Sequence, residues 1–366
     1  MIRTEEMLLN VGPQHPSTHG VFRLVLKIDG EIIVEAKPVI GYLHRGTEKL
    51  AENLQYTQII PYTDRMDYVS AMTNNYVLVH AVETMMGIQV PERAEYLRVL
   101  AMELNRVASH LLWWGTFILD FGATSPLLYA FRDREMILNL LNELSGARLT
   151  FNYMRVGGVK WDAPEGWLEK VADFIPYLRG QLKGYHQLVS GNEIFLNRTK
   201  GIGKYTKEDA INYSLSGANL RSTGVKWDLR KDEPYSIYDR FDFDVVTREE
   251  GDALARYYCR LGEIEESLKI IEQALEQFPK EGEIMAKVPK IIKAPKGEAF
   301  VRIEGSRGEI GCYISSDGKK EPYRLKFRRP SFYNLQILPK LLEGESISNL
   351  IAILGAVDIV LGEVDG

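Results

Sequence analysis

The chain has 366 residues, of which 45% are apolar and 26% are charged, a balance typical of a globular protein with a large buried core. Its formal net charge of −5 gives no reason to expect a nucleic-acid partner. The only two cysteines, Cys259 and Cys312, lie far apart and outside any C-x-x-C pattern, which argues against a disulfide framework and against an iron–sulfur cluster held by this chain alone.

Residues 1–60 are predicted to form an N-terminal β region. Residues 21–28 alternate between apolar and polar side chains, and residues 32–39 resume the alternation. Between them, Asp29-Gly30 is typical of a hairpin turn. We therefore expect an antiparallel pair of strands in this region.

Residues 61–285 are predicted to form a helical bundle. A helix start at Pro91-Glu92 precedes apolar residues that recur at steps of three and four, namely Leu97, Leu100, Leu104, Val107 and Leu111. A second apolar seam runs from Leu254 to Phe278 and stops at Pro279. This seam is suited to packing along another helix. A lone coiled coil is the alternative, but the neighbouring helical segments favour a bundle.

A polar and aromatic segment, residues 217–244, interrupts the helical pattern. Its aromatic content is too high for a solvated linker, so a functional or contact loop is the favoured interpretation. Strand patterns then return at residues 299–304, 309–315 and 323–328. Residues 286–366 are therefore predicted to form a C-terminal β/α region packed on the bundle. The predicted fold class is α+β, mainly α.

No stretch of the sequence has the roughly 18–20 uninterrupted apolar residues that a membrane-spanning helix needs. The best candidate, residues 347–362, contains Asn349 and Asp358 and is broken by glycines. The first residues lack the apolar run of a secretory signal, and two unpaired cysteines are typical of a reducing cytoplasm. If the protein works at a membrane, we expect other proteins to hold it there.

Two histidines, His15 and His19, lie in the motif GPQHPSTHG of residues 12–20. Proline and glycine punctuate this turn, so the two imidazoles are not expected to share a helix face. A zinc site that adds His44 is conceivable, but no acidic or thiol fourth ligand stands at a recognisable spacing. The histidines either stabilise the turn or present an imidazole at a loop tip for hydrogen bonding and proton delivery.

Three further polar constellations are weak when each is taken alone. They are GYLHRGTEK at residues 41–49, DRMDYVS at residues 64–70 at the head of a helix, and SHLLWWGTFILD at residues 109–120. In isolation, Tyr68 is equally a core tyrosine, His110 a satisfied core histidine and Asp120 a helix-end residue.

Taken together and in order, these motifs resemble the D-subunit family of NADH–quinone oxidoreductase (complex I), which is related to the large subunit of nickel–iron hydrogenases. The matching strings span essentially the whole chain: GPQHPSTHG, GYLHRGTEK, DRMDYVSAM, VASHLLWWGTFILDFGA, NYMRVGGVKWD, SGANLRSTGVKWDLRK, SRGEIGCYISSDG and LGEVDG. The resemblance implies a helical bundle like that of the hydrogenase large subunit, with β regions at both ends of the chain.

The metal-binding cysteines of the hydrogenase relatives are absent. Where those relatives have two C-x-x-C pairs, this sequence has Asp67 and Ser70 in the first pair and Val360 and Glu363 in the second. Soft metals in such sites need sulfur ligands, so hydrogenase activity is disfavoured and no metal is expected in this chain. The resemblance implies that the cavity takes a quinone headgroup instead.

The resemblance also assigns roles to four residues. His19 and Tyr68 would hydrogen-bond the two quinone carbonyl oxygens, and Asp120 would pair with His19. Arg65 would lie near the terminal [4Fe–4S] cluster of a neighbouring subunit and stabilise its reduced form. These residue types suit the chemistry, because a quinone that has received two electrons needs two protons, and a tyrosine and a His–Asp pair can donate them.

The same resemblance implies a peripheral place on the cytoplasmic side of the cell membrane. The partners would be the Fe–S cluster-bearing B subunit, the C subunit and the membrane-bound H subunit, with NAD bound elsewhere in the complex and no cofactor held by this chain alone. Protonation changes at His19 and Asp120 are expected to reorganise the loop of residues 12–20 and to couple quinone reduction to proton translocation. The immediate electron donor and the pumped ion stay open.

One departure from the family pattern concerns the quinone type. Many members have a histidine two residues before the Asn of N-Y-x-R, whereas this sequence has Thr150 before Asn152. A hydroxyl does not titrate near neutral pH. We therefore expect a partner cluster of lower potential with little pH dependence, consistent with menaquinone as the substrate.

Three other interpretations compete with a quinone-reducing subunit. A scaffold subunit without chemistry of its own would not need His19, Tyr68 and Asp120 together. An energy-converting hydrogenase would need the missing cysteines, and a freestanding zinc hydrolase has only scattered histidines in its favour.

Overall fold

The computed structural model of the chain describes residues 6–13 and 20–366. The strands are β1 Glu6–Val11, β2 Arg23–Asp29, β3 Ile32–Val39, β4 Met154–Arg155, β5 Gly158–Val159, β6 Gly297–Gly305, β7 Gly308–Ser316 and β8 Arg324–Arg328. The helices are α1 Thr47–Ala51, α2 Tyr56–Thr63, α3 Ala71–Met86, α4 Glu92–Leu119, α5 Thr124–Ser145, α6 Trp167–Tyr185, α7 Glu193–Thr199, α8 Lys207–Asn212, α9 Ala218–Arg221, α10 Leu229–Asp232, α11 Ala253–Glu276, α12 Pro330–Leu335, α13 Leu338–Leu342, α14 Leu350–Val357 and α15 Leu361–Asp365. The predicted class, α+β and mainly α, is confirmed.

The N-terminal sheet has the antiparallel order β1-β2-β3. Alternation in β2 buries Leu24, Leu26 and Ile28 on one face, as the sequence pattern predicts. The prediction of strands and turns up to residue 60 was wrong beyond β3, because α1 and α2 follow. Pro61 lies inside α2 and obscures its helical pattern, while Gln58 Oε1 accepts the Gln55 backbone N–H at 3.0 Å and stabilises the start of that helix.

Two long helices, α4 and α11, form the centre of the bundle and confirm the two apolar seams. The predicted leucines of α4 are all fully buried, and α4 packs against α5 and α11. Gly115 lets α4 and α5 approach closely: a Cβ at this position would stand 3.0 Å from Ala130 Cβ and 3.2 Å from Leu127 Cα. The bundle is therefore stabilised by the buried apolar faces of its helices, and Gly115 allows the close contact between α4 and α5.

The C-terminal hairpin of β6 and β7 confirms the predicted strands and projects into the bundle. Its two strands pair from Gly297 with Ser316 to Gly305 with Gly308, which leaves a two-residue turn of Ser306 and Arg307 at the tip. Gly308 has a φ of +126°, and a Cβ there would stand 2.3 Å from Ser216 Oγ. Glycine therefore lets this tip reach the interior.

The polar segment of residues 217–244 lies partly in the core. Its buried charged side chains join an ion-pair group that we call the inner cluster: Glu103, Arg106, Arg221, Asp228, Arg230, Glu263 and Glu304. Arg221, for example, donates to Glu304 Oε1 and Glu263 Oε1, each at 2.7 Å. The prediction of a functional or contact loop therefore needs correction for these charged residues, which hold helices and hairpin together.

The N-terminal sheet and the C-terminal helices share a second hydrophobic core. Leu24, Leu26 and Ile33 pack in it with residues of α13 and α14, including Leu338 and Ile353. The predicted boundaries at residues 60 and 285 stay a prediction. Across residues 6–13 and 20–366, no helix is both long and apolar enough to cross a membrane.

Candidate functional site

The DRMDYVS motif forms the turn that leads from α2 into α3, as predicted for the head of a helix. Asp67 Oδ1 accepts the backbone N–H groups of Val69 and Ser70 at 3.1 and 3.2 Å. Tyr68 is half-buried in this turn. Burial raises the pKa of Tyr68, and the neighbouring Asp67 raises it further, so the hydroxyl stays protonated at neutral pH and can donate a hydrogen bond.

A second element of the site is the stretch from Gly355 to Glu363, which we call the site segment. Asp358 ends α14 in the left-handed conformation, with a φ of +58°. Arg260 donates to the carbonyls of Ala356 and Val357 at 3.0 and 3.2 Å, and so stabilises the end of α14. The chain therefore turns sharply here and runs past the DRMDYVS turn.

The site segment contacts three of the places that the sequence singled out. A Cβ on Gly355 would stand 3.0 Å from Asp120 Oδ2, and one on Gly362 would stand 3.4 Å from Tyr68 Cε1. Gly20, at the end of the GPQHPSTHG motif, lies against Leu361, since a Cβ on Gly20 would stand 3.0 Å from Leu361 Cδ1. Asp120 and Tyr68 thus flank one short segment that the motif also reaches. His15 and His19 lie outside the described residues.

The interior of the site holds a second buried ion-pair group, which we call the site cluster: Asp67, Arg260, Arg307, Asp358 and Glu363. Arg307, from the hairpin tip, donates to Asp67 Oδ2 at 2.7 Å and to Asp358 Oδ1 at 3.3 Å. Arg260 Nε lies 3.4 Å from Asp358 Oδ2. Charge at the DRMDYVS turn is therefore connected directly to charge on the site segment.

The four positions that the resemblance matched to hydrogenase cysteines, Asp67, Ser70, Val360 and Glu363, lie in this region. Ser70 Oγ is 2.7 Å from Ser306 Oγ at the hairpin tip. Ser331 on α12 connects Val360 and Glu363. Its hydroxyl donates to Glu363 Oε2 and accepts the Val360 N–H at 3.2 Å. Two carboxyl groups, one hydroxyl and one valine thus occupy these four positions.

Burial dominates the electrostatics of the site cluster. It raises the pKa of Asp67, an effect that Arg307 opposes. It also raises the pKa of Glu363 to about 7, with Asp67 adding to the shift and Ser331 and Arg307 opposing it. Four polar atoms of the cluster have no hydrogen-bond partner in the described part of the chain: Arg260 Nε, Arg307 Nε, Asp358 Oδ2 and Glu363 Oε1.

Arg65 and the GYLHRGTEK motif lie on the outer side of the site. Arg65 is exposed, whereas Arg45 donates to the carbonyls of Arg65 and Gly362 at 2.7 and 2.9 Å. His44 Nδ1 lies 2.7 Å from the Asp365 carbonyl oxygen, so this imidazole fixes the turn on α15. In the two described ranges, no group of three His, Cys, Asp or Glu side chains is placed to hold a metal ion.

The region of Thr150 contains a titratable group that the sequence did not single out. Asn152, with a φ of +44°, donates its backbone N–H to Asp64 Oδ1 at 3.3 Å. Asp64 is fully buried, and burial raises its pKa to about 6. A carboxyl is therefore hydrogen-bonded to the backbone two residues after Thr150.

His110 belongs to the inner cluster region rather than to the site. Its Nε2 lies 3.0 Å from Glu263 Oε2, and burial lowers its pKa. His110 is therefore a core histidine, as one interpretation predicted, although only Nε2 and not the buried Nδ1 has a hydrogen-bond partner among the described residues.

The sequence missed the roles of Arg307, Asp358 and Glu363. The motif SRGEIG marked the hairpin tip, and glycines on both sides of Ser306-Arg307 were the signal for a tight turn. Nothing local indicated its partners, because Asp67 and Arg307 are 240 residues apart.

Residues 120–294 and 287–366 match the sequence model of a family described as respiratory-chain NADH dehydrogenase, 49 Kd subunit. Full-length similarity extends to curated proteins that are each named as the D subunit of NADH-quinone oxidoreductase. Those of Geobacillus kaustophilus (strain HTA426) and Bacillus cereus (strain ATCC 10987 / NRS 248) are each 82% identical over 366 residues, and that of Bacillus mycoides (strain KBAB4) is 83% identical. In all three cases the alignment covers 100% of both chains.

Proposed function

The chain belongs to the family of NADH-quinone oxidoreductase D subunits, and we propose that it forms the quinone-reduction pocket of that oxidoreductase complex. The observation that carries this proposal is the site segment, which contacts Tyr68, Asp120 and the end of the His19 motif together. A scaffold would not require these groups to meet. A quinone has two carbonyl oxygens and takes up two protons when it is reduced, and the proton-donating groups of this pocket suit such a substrate.

In the proposed pocket, Tyr68 donates a hydrogen bond to one carbonyl oxygen of the quinone headgroup and His19 to the other. The raised pKa of Tyr68 keeps its proton available for an oxygen that becomes more basic as electrons arrive. Asp120 holds the His19 imidazole in orientation and stabilises its charged form. Two electrons and two protons convert the quinone to the quinol.

A [4Fe–4S] cluster held by the neighbouring B subunit would supply the electrons, one at a time. The residues here fit such a neighbour, because Arg65 is exposed beside the DRMDYVS turn and its guanidinium adds positive charge to that surface. Positive charge favours the reduced state of a nearby redox centre.

We further propose a peripheral position on the cytoplasmic side of the cell membrane, with the B, C and H subunits as neighbours. The meeting of positions 67, 70, 360 and 363 supports a bundle related to the hydrogenase large subunit, with the metal site replaced by the site cluster. Coupling to proton translocation would begin with protonation changes at His19 and Asp120.

The decisive experiment is quinone-analogue reduction by membranes that carry Tyr68→Phe, with assembly of the complex measured in parallel. Loss of a positioned hydrogen-bond donor at the reacting centre should lower the rate by about 100-fold in a fully assembled complex. Tyr323→Phe is the matched control, because Tyr323 is 71% exposed and lies outside the site. Unchanged activity of Tyr68→Phe would leave the family membership intact and move the chemistry to another subunit.

Menaquinone is the proposed substrate, on the argument that Thr150 does not titrate. Asp64 refines this argument, because a carboxyl with a pKa of about 6 is mostly ionised at neutral pH and takes up a proton below it. We expect the partner cluster's potential, followed by EPR, to vary little with pH above neutrality and more as the pH falls through 6. A steep dependence near pH 7–8 would contradict both statements.

Coupling is tested separately with Asp120→Asn. This substitution should leave the complex assembled but lower both quinone reduction and proton pumping, because the amide cannot stabilise a charged imidazole. If both activities were intact, the proposed coupling role of Asp120 would be abandoned.

A further inference from the structure

The site cluster contains one carboxyl more than it has guanidinium groups. If all its groups were ionised, Asp67, Asp358 and Glu363 would face Arg260 and Arg307, and the buried cluster would carry an unbalanced negative charge. All five side chains are buried, Glu363 fully. An unpaired buried charge is costly, and a group in that position takes up a proton instead. The cluster is therefore built to hold one proton.

Glu363 is the carboxyl on which that proton belongs. Asp67 and Asp358 are each paired with a guanidinium, whereas Glu363 has no ion pair with any residue of the described ranges. Its Oε2 accepts the backbone N–H of Ser331 at 3.0 Å and the Ser331 hydroxyl. Its Oε1 is buried and has no hydrogen-bond partner among those residues. One occupied acceptor oxygen and one bare oxygen suit a neutral carboxylic acid.

The groups that face Glu363 leave it poised between its two protonation states. Asp67 disfavours its charge, whereas Arg307 and the hydroxyl of Ser331 favour it. On the outer side, Arg45 donates to the carbonyl of the preceding Gly362, and the His44 imidazole contacts the Asp365 carbonyl. These opposing effects agree with a pKa of about 7. The proton can therefore leave near neutral pH.

We propose that Glu363 stores a proton for the quinone site and releases it when the quinone is reduced. This inference rests on the proposed function. The enzyme supplies two electrons from NADH, and the quinone takes one proton from Tyr68 and one from His19. The Glu363 carboxylic acid then gives up its proton to restore the Tyr68 hydroxyl. Glu363 is left as a carboxylate beside Arg307 and regains a proton from solvent before the next turnover. Gly362, which packs on the Tyr68 ring, places this store directly behind the headgroup position.

The first test is time-resolved infrared difference spectroscopy, within a single turnover, on the purified complex with a short-chain menaquinone analogue. Reduction should remove a protonated-carboxyl band from the wild-type spectrum, and Glu363→Gln should lack that change. Glu304→Gln is the matched control, because Glu304 is also fully buried with a pKa raised to about 7, but it belongs to the inner cluster. The band should persist in Glu304→Gln, and its persistence in Glu363→Gln would overturn the proposal.

The pH profile of quinone reduction gives a second readout that a merely structural role would not change. In the wild type the rate should fall as the pH rises through about 7, whereas Glu363→Gln should be slower and lack this inflection. Glu363→Asp retains an acid and should restore an inflection, shifted in pH. If Glu363→Gln does not assemble, Glu363→Asp decides the question: an unshifted profile and an unshifted band would reject the storage role.

The outcomes separate this inference from the proposed function. Loss of activity in Tyr68→Phe together with a wild-type band and profile in Glu363→Gln would reject only proton storage by Glu363. Full activity in Tyr68→Phe would reject the pocket itself, and the inference with it.

Discussion

The inner cluster and the site cluster are made from the same kinds of side chain, yet they differ in how completely those side chains are bonded. Both are buried, and both contain one more carboxyl than guanidinium. In the inner cluster every carboxylate oxygen accepts at least one hydrogen bond, with Tyr238, Ser267 and backbone N–H groups completing the set. The only atom left without a partner there, among described residues, is Nδ1 of the adjoining His110.

The site cluster is incomplete by comparison. Arg260 Nε, Arg307 Nε, Asp358 Oδ2 and Glu363 Oε1 lack hydrogen bonds within the described ranges. Arg260 Nε and Asp358 Oδ2 face each other in an ion pair at 3.4 Å, so Arg307 Nε and Glu363 Oε1 are the two atoms of the cluster that have no facing partner among the described residues. The excess carboxyl of the inner cluster, Glu304, is held by Arg221 and by the Leu229 N–H. The two clusters have the same excess of carboxyl over guanidinium groups, so this count does not tell a structural cluster from a functional one. The difference between them is how many of their polar atoms have hydrogen-bond partners.

The largest expected effect tests the structural half of this comparison. Arg221→Ala leaves Glu263 and Glu304 without their guanidinium and should cost about 3–5 kcal/mol of folding free energy. We expect little assembled complex, measured by native electrophoresis and by melting of what assembles. Arg179→Ala is the control, because its pairs with Glu265 and Glu272 are partly exposed and worth about 1 kcal/mol or less. Normal assembly of Arg221→Ala would contradict the supporting role.

In contrast to Arg221→Ala, Arg307→Met should leave the complex assembled but lower its activity. The carboxyls it leaves behind have raised pKa values at Asp67 and Glu363, so they take up protons rather than stay charged. The complex should assemble, while quinone reduction falls by about 100-fold because positive charge is lost beside the reacting centre. Failure to assemble at both pH 6 and pH 8 would show that the site cluster supports the fold as the inner cluster does.

The pH dependence of stability should separate Glu363 of the site cluster from Glu263 of the inner cluster by sign, because the pKa of Glu363 is raised and that of Glu263 is lowered. Glu363 has a folded-state pKa of about 7 against an ordinary value of 4.5, so the folded state loses stability as the pH rises across that window. Glu363→Gln should remove this loss, a difference that grows by about 1 kcal/mol per pH unit between pH 5 and 7.

Glu263→Gln provides the contrast to Glu363→Gln. Burial opposes the ionisation of Glu263, but Arg221 and His110 outweigh it and lower the pKa of this carboxyl, so its stabilisation is full above 4.5 and is lost only in acid. The cost of the substitution should therefore be constant between pH 5 and 7. Melting temperatures of the purified complexes over this range check both variants, and parallel curves for the two would refute the distinction.

The smallest expected effect concerns Ser306 at the hairpin tip. Ser306→Ala removes the hydrogen bond to Ser70 Oγ, but that hydroxyl keeps Thr73 Oγ1 at 2.9 Å. The cost should be about 1 kcal/mol, seen as a small fall in melting temperature with quinone reduction unchanged. A large loss of activity would show that the hydrogen-bonded hydroxyl groups of Ser306 and Ser70 take part in the chemistry.

Periodicity predicted the parts of the fold that obey one local rule. The leucines of α4, the seam of α11 and the alternation of β2 lie where the pattern puts them, because each depends on burying one face. Pro61 hid α2, and β1 lacks a clear alternation, so local pattern failed at these two elements.

The sequence predicted only those site residues that lie in a motif of the resembled family. Tyr68 and Asp120 came from the resemblance, and the structure brings both to the site segment. The bonding of Arg307 and Glu363 was out of reach, because it depends on side chains that are 240 residues apart in the first case and on the placement of α12 in the second. Sequence pattern encodes which face is buried, but not which distant charge that face meets.

Residues from the two ends of the sequence close the site, and this affects when the site can form during synthesis of the protein. Asp365 accepts the backbone N–H groups of Gly41 and Leu43, 324 and 322 positions earlier, and the second core joins β2 and β3 to α13 and α14. Those bonds cannot form while residue 365 is still inside the ribosome. The bundle can condense during translation, but the contacts that close the candidate site can form only after residue 365 has left the ribosome. A chain truncated before Asp365 therefore lacks the bonds that hold Gly41 and Leu43 to the site.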